Sequence, residues 1–511
     1  MRVSTKKTTN GGHADPLAPL EFVRRSDRVL MADPTRVFMH LFVAGQEEYG
    51  ATELRAARVM QRVAALSESE VRLALSDVHE RFGDRHPDLH YWLDLHAHRV
   101  AGRLSPTLTM SEDRWRLLGS VFTHEFSVEG ASLTNPSIVL HPSQEGLPAG
   151  SARFVLSVRC IGEGHRSSIG FRTGTVSADG DLTIDDPKPN LNPGLRTDST
   201  MKKSVFANLL EQYHGHGEHS MSVLAGLDDS FDCEALETQL IRLEHDRETF
   251  RNTEMTSYFF RSIAERHYRV DFAPDVHLSE RILWPHAAVE RHGMEDLRLV
   301  RFENGFGPAS YFGTYTAYDG RSITQQMLRT PDFLSFEMHP AAGGGAAGKG
   351  LALFPRLIGG SFVALSRADH ESNSIGFSDE LEVWKGVVPV QMPRGVTELI
   401  QVGNCGSPIE TEAGWLVLTH SVGPMRTYSI GAMLLDIDDP TRVIGVLDRP
   451  LLSPREDQRD GYVPNVVYSC GSLLHGTNLV IPFGIADQSI GFAVCPIEPL
   501  IDRLVANGRA T

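Results

Sequence analysis

The chain has 511 residues, 41% of them hydrophobic and 22% charged, enough for about three domains of ordinary size or one large domain with additions. Its 49 Lys and Arg stand against 65 Asp and Glu, a net charge of −16 that argues against a nucleic-acid-binding protein but not against an anionic substrate held by a few local cations. No uncharged apolar run approaches the ~18 residues of a membrane span, so no membrane partner is expected.

Residues 1–27 are polar and contain Pro and Gly, the composition of a flexible tail; the basic start is followed by no apolar stretch and does not read as an export signal. Five scattered cysteines without a CxxC (Cys160, Cys233, Cys405, Cys470, Cys495) then read as free buried thiols in a reducing cytoplasm. Residues 28–116 form an α-helical N-terminal region by their spacing. Leu54, Ala57, Met60, Val63 and Leu66 recur on one helical face, Ser67-Glu68-Ser69-Glu70 looks like the capped start of a second helix, and Leu89 to Val100 is again helical.

From residue 117 to the end the chain turns to short β-rich runs divided by Gly, Asp, Asn and Pro, and these runs repeat. An apolar run ends in a polar or charged residue, and Ser-Ile-Gly follows two to nine residues later. This happens at Arg153–Arg159 with Ser168-Ile169-Gly170, Ser361–Arg367 with Ser374-Ile375-Gly376, Trp415–His420 with Ser429-Ile430-Gly431, and Asn478–Asp487 with Ser489-Ile490-Gly491. A looser copy, Ser310–Tyr318 with Ser322-Ile323-Thr324, makes five. Repeated strand-turn-strand units that cannot cover their own faces predict a mainly β fold, a five-bladed β-propeller; a β-sandwich of similar hairpins is the alternative. Residues 201 to about 266 are helical in pattern and read as an insertion between the first two blades, able to cap a site or build a subunit interface.

If the runs are the innermost strands, their ends meet over one central pocket: Arg159, Arg367, His420 and Asp487. Two arginines and a histidine there would make an anion site. A second signal is Glu295-Asp296-Leu297-Arg298, which places carboxylates beside a guanidinium at a strand mouth, suited to general acid work. Histidines invite a metal centre, but His214-Gly215-His216-Gly217-Glu218-His219 is a glycine-rich loop, and His96 and His98 point to different helix faces, so no metal is expected. Gly343 to Gly350 lacks the Gly-Lys-Ser/Thr ending of a nucleotide loop.

Glu295-Asp296-Leu297-Arg298, with Gly313-Thr314-Tyr315-Thr316-Ala317-Tyr318-Asp319-Gly320, resembles the signature of glycoside hydrolase family 130. Asn135-Pro136-Ser137-Ile138, Leu353-Phe354-Pro355, Gly414-Trp415-Leu416, Tyr462-Val463-Pro464-Asn465 and Gly484-Ile485-Ala486-Asp487 extend the likeness over residues 130 to 495, in the family's order. The N-terminal helices and the insertion fall outside it and look like the extension of a longer-chain branch.

The resemblance implies a five-bladed propeller acting on β-mannosides, most members being inverting phosphorylases that release α-mannose 1-phosphate and a minority hydrolases. It implies Asp296 as proton donor, acting through the mannosyl 3-hydroxyl. Asn135, Arg159, Asp487 and Tyr318 would hold the mannosyl unit beside Glu295 and Arg298, and Lys349, Arg367, His420 and Tyr428 would hold phosphate. Two departures are visible: Leu297 where the family has Pro, and Gly350 where it has Asp or Asn after the lysine. An inverting hydrolase needs a second carboxylate as base, for which Glu163 is the nearest candidate; a phosphorylase needs cations instead, and those are kept. The expectation is therefore a cytoplasmic β-mannoside phosphorylase with phosphate as co-substrate, no cofactor, and helical appendages that point to a homo-oligomer. A hydrolase of the same linkage and a catalytically silent sugar-binding propeller are the alternatives.

Overall fold

The long strands after residue 130 show little of the in-out alternation of a half-exposed sheet: Ser132–Leu140, Ala152–Ile161 and Ser489–Pro496 are buried along almost their whole lengths. Such strands need cover on both faces, so their sheets must pack face to face. The computed structural model, which describes residues 18–43, 52–104, 110–212, 217–245, 253–303 and 309–508, is mainly β and meets that need with five antiparallel four-stranded units.

The first unit runs Ser132–Leu140, Ala152–Ile161, Ser167–Val176, Leu182–Ile184. The second is Gly293–Phe302, Ser310–Tyr318, Ile323–Thr330, Ser335–Pro340. The third is Lys349–Leu353, Phe362–Arg367, Asn373–Ser378, Val387–Gln391, and the fourth Gln401–Asn404, Gly414–Val422, Tyr428–Leu435, Val443–Val446. The fifth takes Val467–Tyr468, Asn478–Ile485 and Ser489–Pro496 from the end of the chain, and its outermost strand, Arg24–Leu30, from the beginning. The sequence repeat is the hairpin of second and third strands in each unit, Ser-Ile-Gly opening the third strand. Arg159, Arg367 and His420 therefore lie on second strands and Asp487 in the turn after one, not on the first strands of their units.

Apolar side chains join the units in succession. Phe171 of the first packs with Leu299 and Tyr315 of the second. Phe302 and Met327 of the second meet Leu353 and Trp384 of the third. Val363 and Leu365 of the third meet Trp415 and Met433 of the fourth. Leu418 and Ile430 of the fourth meet Ile481 and Phe483 of the fifth, and Val480 and Phe492 of the fifth meet Phe154 and Leu156 of the first. Each wholly buried side chain of this size contributes about 1.5–3 kcal/mol of transfer free energy, so the interfaces between units, not the hairpins alone, hold the sheets together.

The N-terminal region holds the helices Thr52–Ala65, Glu68–Phe82, Leu89–Leu104 and Glu112–Val121. Ser67 caps the second as expected: its backbone N–H donates to Glu70 Oε2 at 2.7 Å and its Oγ accepts from the Glu70 N–H at 3.3 Å. The region is not purely helical, because Val37–Leu41 pairs with Thr123–Ser127 and residues 24–27 of the expected tail open a paired strand; residues 1–17 of that tail lie outside the described residues. A buried ion group ties the region to the first unit. Arg36 Nε donates to Glu129 Oε1 at 2.9 Å and Arg172 Nη2 donates to the same oxygen at 2.6 Å, with all three side chains at most 3% exposed.

The insertion supplies the helices Lys203–Gln212, Glu218–Ala225, Cys233–His245 and Thr253–Ala264. Their apolar core closes on Ala342 and Val383 beside the third unit, and Lys202 Nζ reaches Glu382 at 3.0 Å. The flanking strands Leu195–Asp198 and Tyr268–Asp271 extend the outer edge of the second unit. Cys160, Cys405, Cys470 and Cys495 are free and buried, whereas Cys233 is only half-buried. No helix among the described residues is long and apolar enough to cross a membrane.

Candidate active site

The first strands of three units share one irregularity. Their pairing slips between Thr134 and Ser137, between Glu295 and Arg298, and between Lys349 and Ala352. In each bulge one residue is left-handed: Asn135 (φ 48°), Asp296 (φ 56°) and Gly350 (φ 83°). A bulge of this kind turns a side chain out of the pleat, and Asn, Asp and Gly are the residues that tolerate the conformation. Gly350 thus keeps the backbone that Asp or Asn would take. A Cβ there would meet Asn404 Nδ2 at 3.4 Å and Arg367 Cβ at 3.5 Å, ordinary contact distances. Gly350→Asn is expected to leave the urea unfolding midpoint nearly unchanged, while Gly350→Val lowers stability by about 1–2 kcal/mol. Leu297, following Asp296, forms the same bulge without a proline ring; its side chain is 3% exposed and packed in the core between the first and second units.

These bulges bring three of the expected residues together. Asn135 Nδ2 donates to Asp296 Oδ1, and Thr134 Oγ1 lies 2.9 Å from Asn135 Oδ1 and 3.2 Å from Asp487 Oδ1. Asp487, from the fifth unit, is itself left-handed (φ 49°). Glu295, next to Asp296, lies between two cations: Arg159 Nη2 donates to Oε1 at 2.6 Å and Lys349 Nζ to Oε2 at 3.3 Å. Lys349 pairs across the strands with Arg367, whose Nη1 is 3.0 Å from His420 Nε2. His420 Nδ1 is 3.1 Å from the Asn404 carbonyl, so Nδ1 donates there and Nε2 accepts from Arg367. Gly403 leaves room for this contact, since a Cβ there would stand 2.4 Å from His420 Cε1.

Burial pushes the Asp296 carboxyl upward, but Arg298, Lys349 and Arg159, with the Asn135 amide, outweigh it and hold the group below the usual carboxylate range. Asp487 goes the other way: burial and the nearby Asp296 raise it, against Arg159, Thr134 and Arg426. His420 is driven well below the ordinary histidine value by burial and then by Arg367 and Arg298. It is a neutral ring, so it joins the cluster as a hydrogen-bonding group and not as the cation the sequence suggested. The Nε atoms of Arg159 and Arg367 are buried and, among the described residues, have no hydrogen-bond partner. Two guanidinium donors thus remain for a ligand beside a carboxylate at a strand bulge.

Of the other expected residues, Arg298 is 2% exposed and already engaged: it donates to the Asp296 carbonyl at 2.9 Å, to Tyr468 Oη at 2.7 Å and to Asn404 Oδ1 at 3.3 Å. It supports the Asp296 bulge from behind. Tyr428 stacks on His420 with ring centroids 6.1 Å apart. Tyr318 is half-buried, and its hydroxyl donates to the carbonyl of Gly320 in its own hairpin at 2.9 Å, away from the Asp296 network. Glu163 is exposed on the turn Glu163–His165, where its charge acts on His124 and Arg166. His214 and His216 lie outside the described residues. Sequence reasoning missed Thr134, Asn404 and Tyr468; all three lie on the first strands of their units, which the Ser-Ile-Gly repeat does not mark.

The family model described as beta-1,4-mannooligosaccharide phosphorylase matches residues 275–505. A 1,2-beta-oligomannan phosphorylase of Thermoanaerobacter sp. (strain X514) is 31% identical over 216 residues, 41% of this chain and 71% of that protein. A beta-1,2-mannobiose phosphorylase of Listeria innocua is 27% identical over 296 residues, 55% of this chain and 78% of that protein. The solved structure of the beta-1,2-mannobiose phosphorylase from Listeria innocua in complex with beta-1,2-mannobiose aligns over 75% of this chain and 93% of its own, with 20% identity and a TM-score of 0.45. The chain belongs to glycoside hydrolase family 130.

Proposed function

We propose that this protein is an inverting β-mannoside phosphorylase built on a five-bladed β-propeller. The propeller is supported by the cyclic order of the apolar interfaces, first to second and on to fifth and back to first. It is supported again by a cavity of about 430 Å³ to which all five units or their connections contribute, through Leu140, Arg301, Pro355, Ile409 and Leu473. The fifth unit, made from both ends of the chain, would close the ring.

The observation that carries phosphorolysis is the unpartnered buried Nε donor of Arg367, with Lys349 paired across the strands from it. Arg159 with Asn135 and Asp487 would hold the mannosyl unit, and Arg367, Lys349, His420 and Tyr428 would hold phosphate. Phosphate oxygen attacks the anomeric carbon from the face opposite the leaving oxygen. The C–O bond to the leaving sugar breaks, Asp296 supplies the proton that this oxygen takes up, relayed by the mannosyl 3-hydroxyl, and the β-linkage becomes α-mannose 1-phosphate. The cations hold the Asp296 carboxyl below its usual range; bound phosphate adds negative charge among the same cations, which raises the carboxyl and favours the protonated form needed. Phosphate is the co-substrate, and the scheme asks for no metal or redox group.

Relatives named for β-1,2-linked substrates make β-1,2-mannobiose the first compound to test. Arg367→Ala is expected to raise the KM for phosphate by about tenfold or more, the loss of a charge-assisted hydrogen bond, with a much smaller change for the sugar. Initial rates with each substrate varied in turn check this, and equal effects on both would remove Arg367 from the phosphate site.

A further inference from the structure

The turns Glu163–His165 and Pro424–Arg426 occupy equivalent places, each joining the second and third strands of its unit, in the first and fourth units. They close in the same way: Gly162 N–H donates to the Arg166 carbonyl and Gly423 N–H to the Thr427 carbonyl, both at 3.0 Å. Each passes through two successive left-handed residues, Gly164 (φ 65°) and His165 (φ 58°) in one, Met425 (φ 56°) and Arg426 (φ 54°) in the other. Glycine would make this backbone without strain, yet the second turn uses two large side chains. Packing does not explain them, because Met425 is 88% exposed, and Arg426 is exposed with no hydrogen bond or ion pair among the described residues.

The two turns flank the fifth unit, which carries Asp487. His165 Nδ1 lies 2.7 Å from the Tyr462 hydroxyl, a contact from the first unit to the loop that opens the fifth. That loop rests on the Asp487 turn, since Val463 N–H donates to the Ala486 carbonyl at 2.8 Å. On the other flank, Arg426 stands two residues before Tyr428, which stacks on His420, and its charge acts on the Asp487 carboxyl. The turns are therefore the exposed continuation of the cluster built on Asn135, Asp296 and Asp487.

We propose that these two turns and Tyr462 bind the sugar on the leaving side of the scissile bond, a neutral hexopyranose. This assignment rests on the β-mannoside reading of the site. Arg426 donates to ring hydroxyls, Met425 and Tyr462 offer apolar and aromatic surface to the C–H face of the ring, and His165 fixes the Tyr462 hydroxyl. A leaving sugar must exchange with solvent, which suits a wall that is exposed and held in shape by its backbone.

The test compares binding of β-1,2-mannobiose and α-mannose 1-phosphate by calorimetry in the Asp296→Asn protein, where turnover is suppressed, with and without Arg426→Asn or Tyr462→Ala. Asparagine accepts the left-handed backbone, so the turn keeps its shape. Arg426→Asn is expected to weaken mannobiose by about tenfold and α-mannose 1-phosphate by less than about twofold, and Arg426→Lys to restore part of the loss. In the synthetic direction with otherwise native protein, Arg426→Asn should raise the acceptor KM alone, leaving that of α-mannose 1-phosphate in place. If mannobiose and α-mannose 1-phosphate weaken together, or neither changes in any variant, the assignment is wrong. Tyr462→Ala carries the same test should the Arg426 variants not fold. A native protein that makes no mannose 1-phosphate ends the phosphorylase reading separately, while the affinity ratio still decides the subsite.

Discussion

Asp296→Asn is expected to lower kcat by about a hundredfold to ten-thousandfold, the range for loss of a positioned general acid, while changing the KM for mannoside far less. The size follows from how little else the substitution alters. Asparagine tolerates the left-handed backbone that Asp296 adopts at φ 56°, so the bulge survives. Its Oδ1 still accepts from Asn135 Nδ2, and Arg298 still holds the backbone carbonyl at 2.9 Å. Only the transferable proton and one negative charge disappear. Steady-state rates with saturating phosphate check the prediction, and activity retained within about tenfold would remove Asp296 from the proton-donor role.

Glu129→Ala should cost about 3–5 kcal/mol of stability, the penalty for breaking a buried ion group from one side. The Glu129 carboxylate is the acceptor for both Arg36 and Arg172, and none of the three side chains is more than 3% exposed. Burial and the neighbouring Arg172 already pull the Arg36 guanidinium below its ordinary value, with Glu129 opposing them. Without Glu129, two guanidinium groups face each other away from water. Because Arg36 leads into the N-terminal strand pair and Arg172 lies in the first unit, the loss should loosen the junction between them. Urea unfolding followed by circular dichroism measures it; a shift below about 1 kcal/mol would mean that the arginines find other partners.

The repeat was legible because Ser-Ile-Gly marks one structural event, the opening of each unit's third strand beside an apolar second strand. Residues near the ends of the second strands, or in the turn after one, were legible for the same reason, and Arg159, Arg367, His420 and Asp487 do come to one cluster. Their strand was misjudged, since three of the first strands are bulged and the buried first strands carry no alternation to read. Thr134-Asn135-Pro136, Glu295-Asp296-Leu297 and Lys349-Gly350-Leu351 share a left-handed middle residue, a likeness of backbone rather than of side chain. The charge of His420 was illegible as well, because its neutrality comes from burial and two arginines distant in sequence. Arg24–Leu30 escaped notice as a strand for a related reason: it is largely exposed at a sheet edge, so its apolar pattern is weak, and only its partner Ser489–Pro496 defines it.

The most direct test of the central claim is product analysis with β-1,2-mannobiose, in parallel with the β-1,3- and β-1,4-linked disaccharides and mannosyl-glucose, with and without inorganic phosphate. The account predicts α-mannose 1-phosphate, formed only when phosphate is present, together with the free leaving sugar. Free mannose released at the same rate without phosphate would contradict it and make the protein a hydrolase.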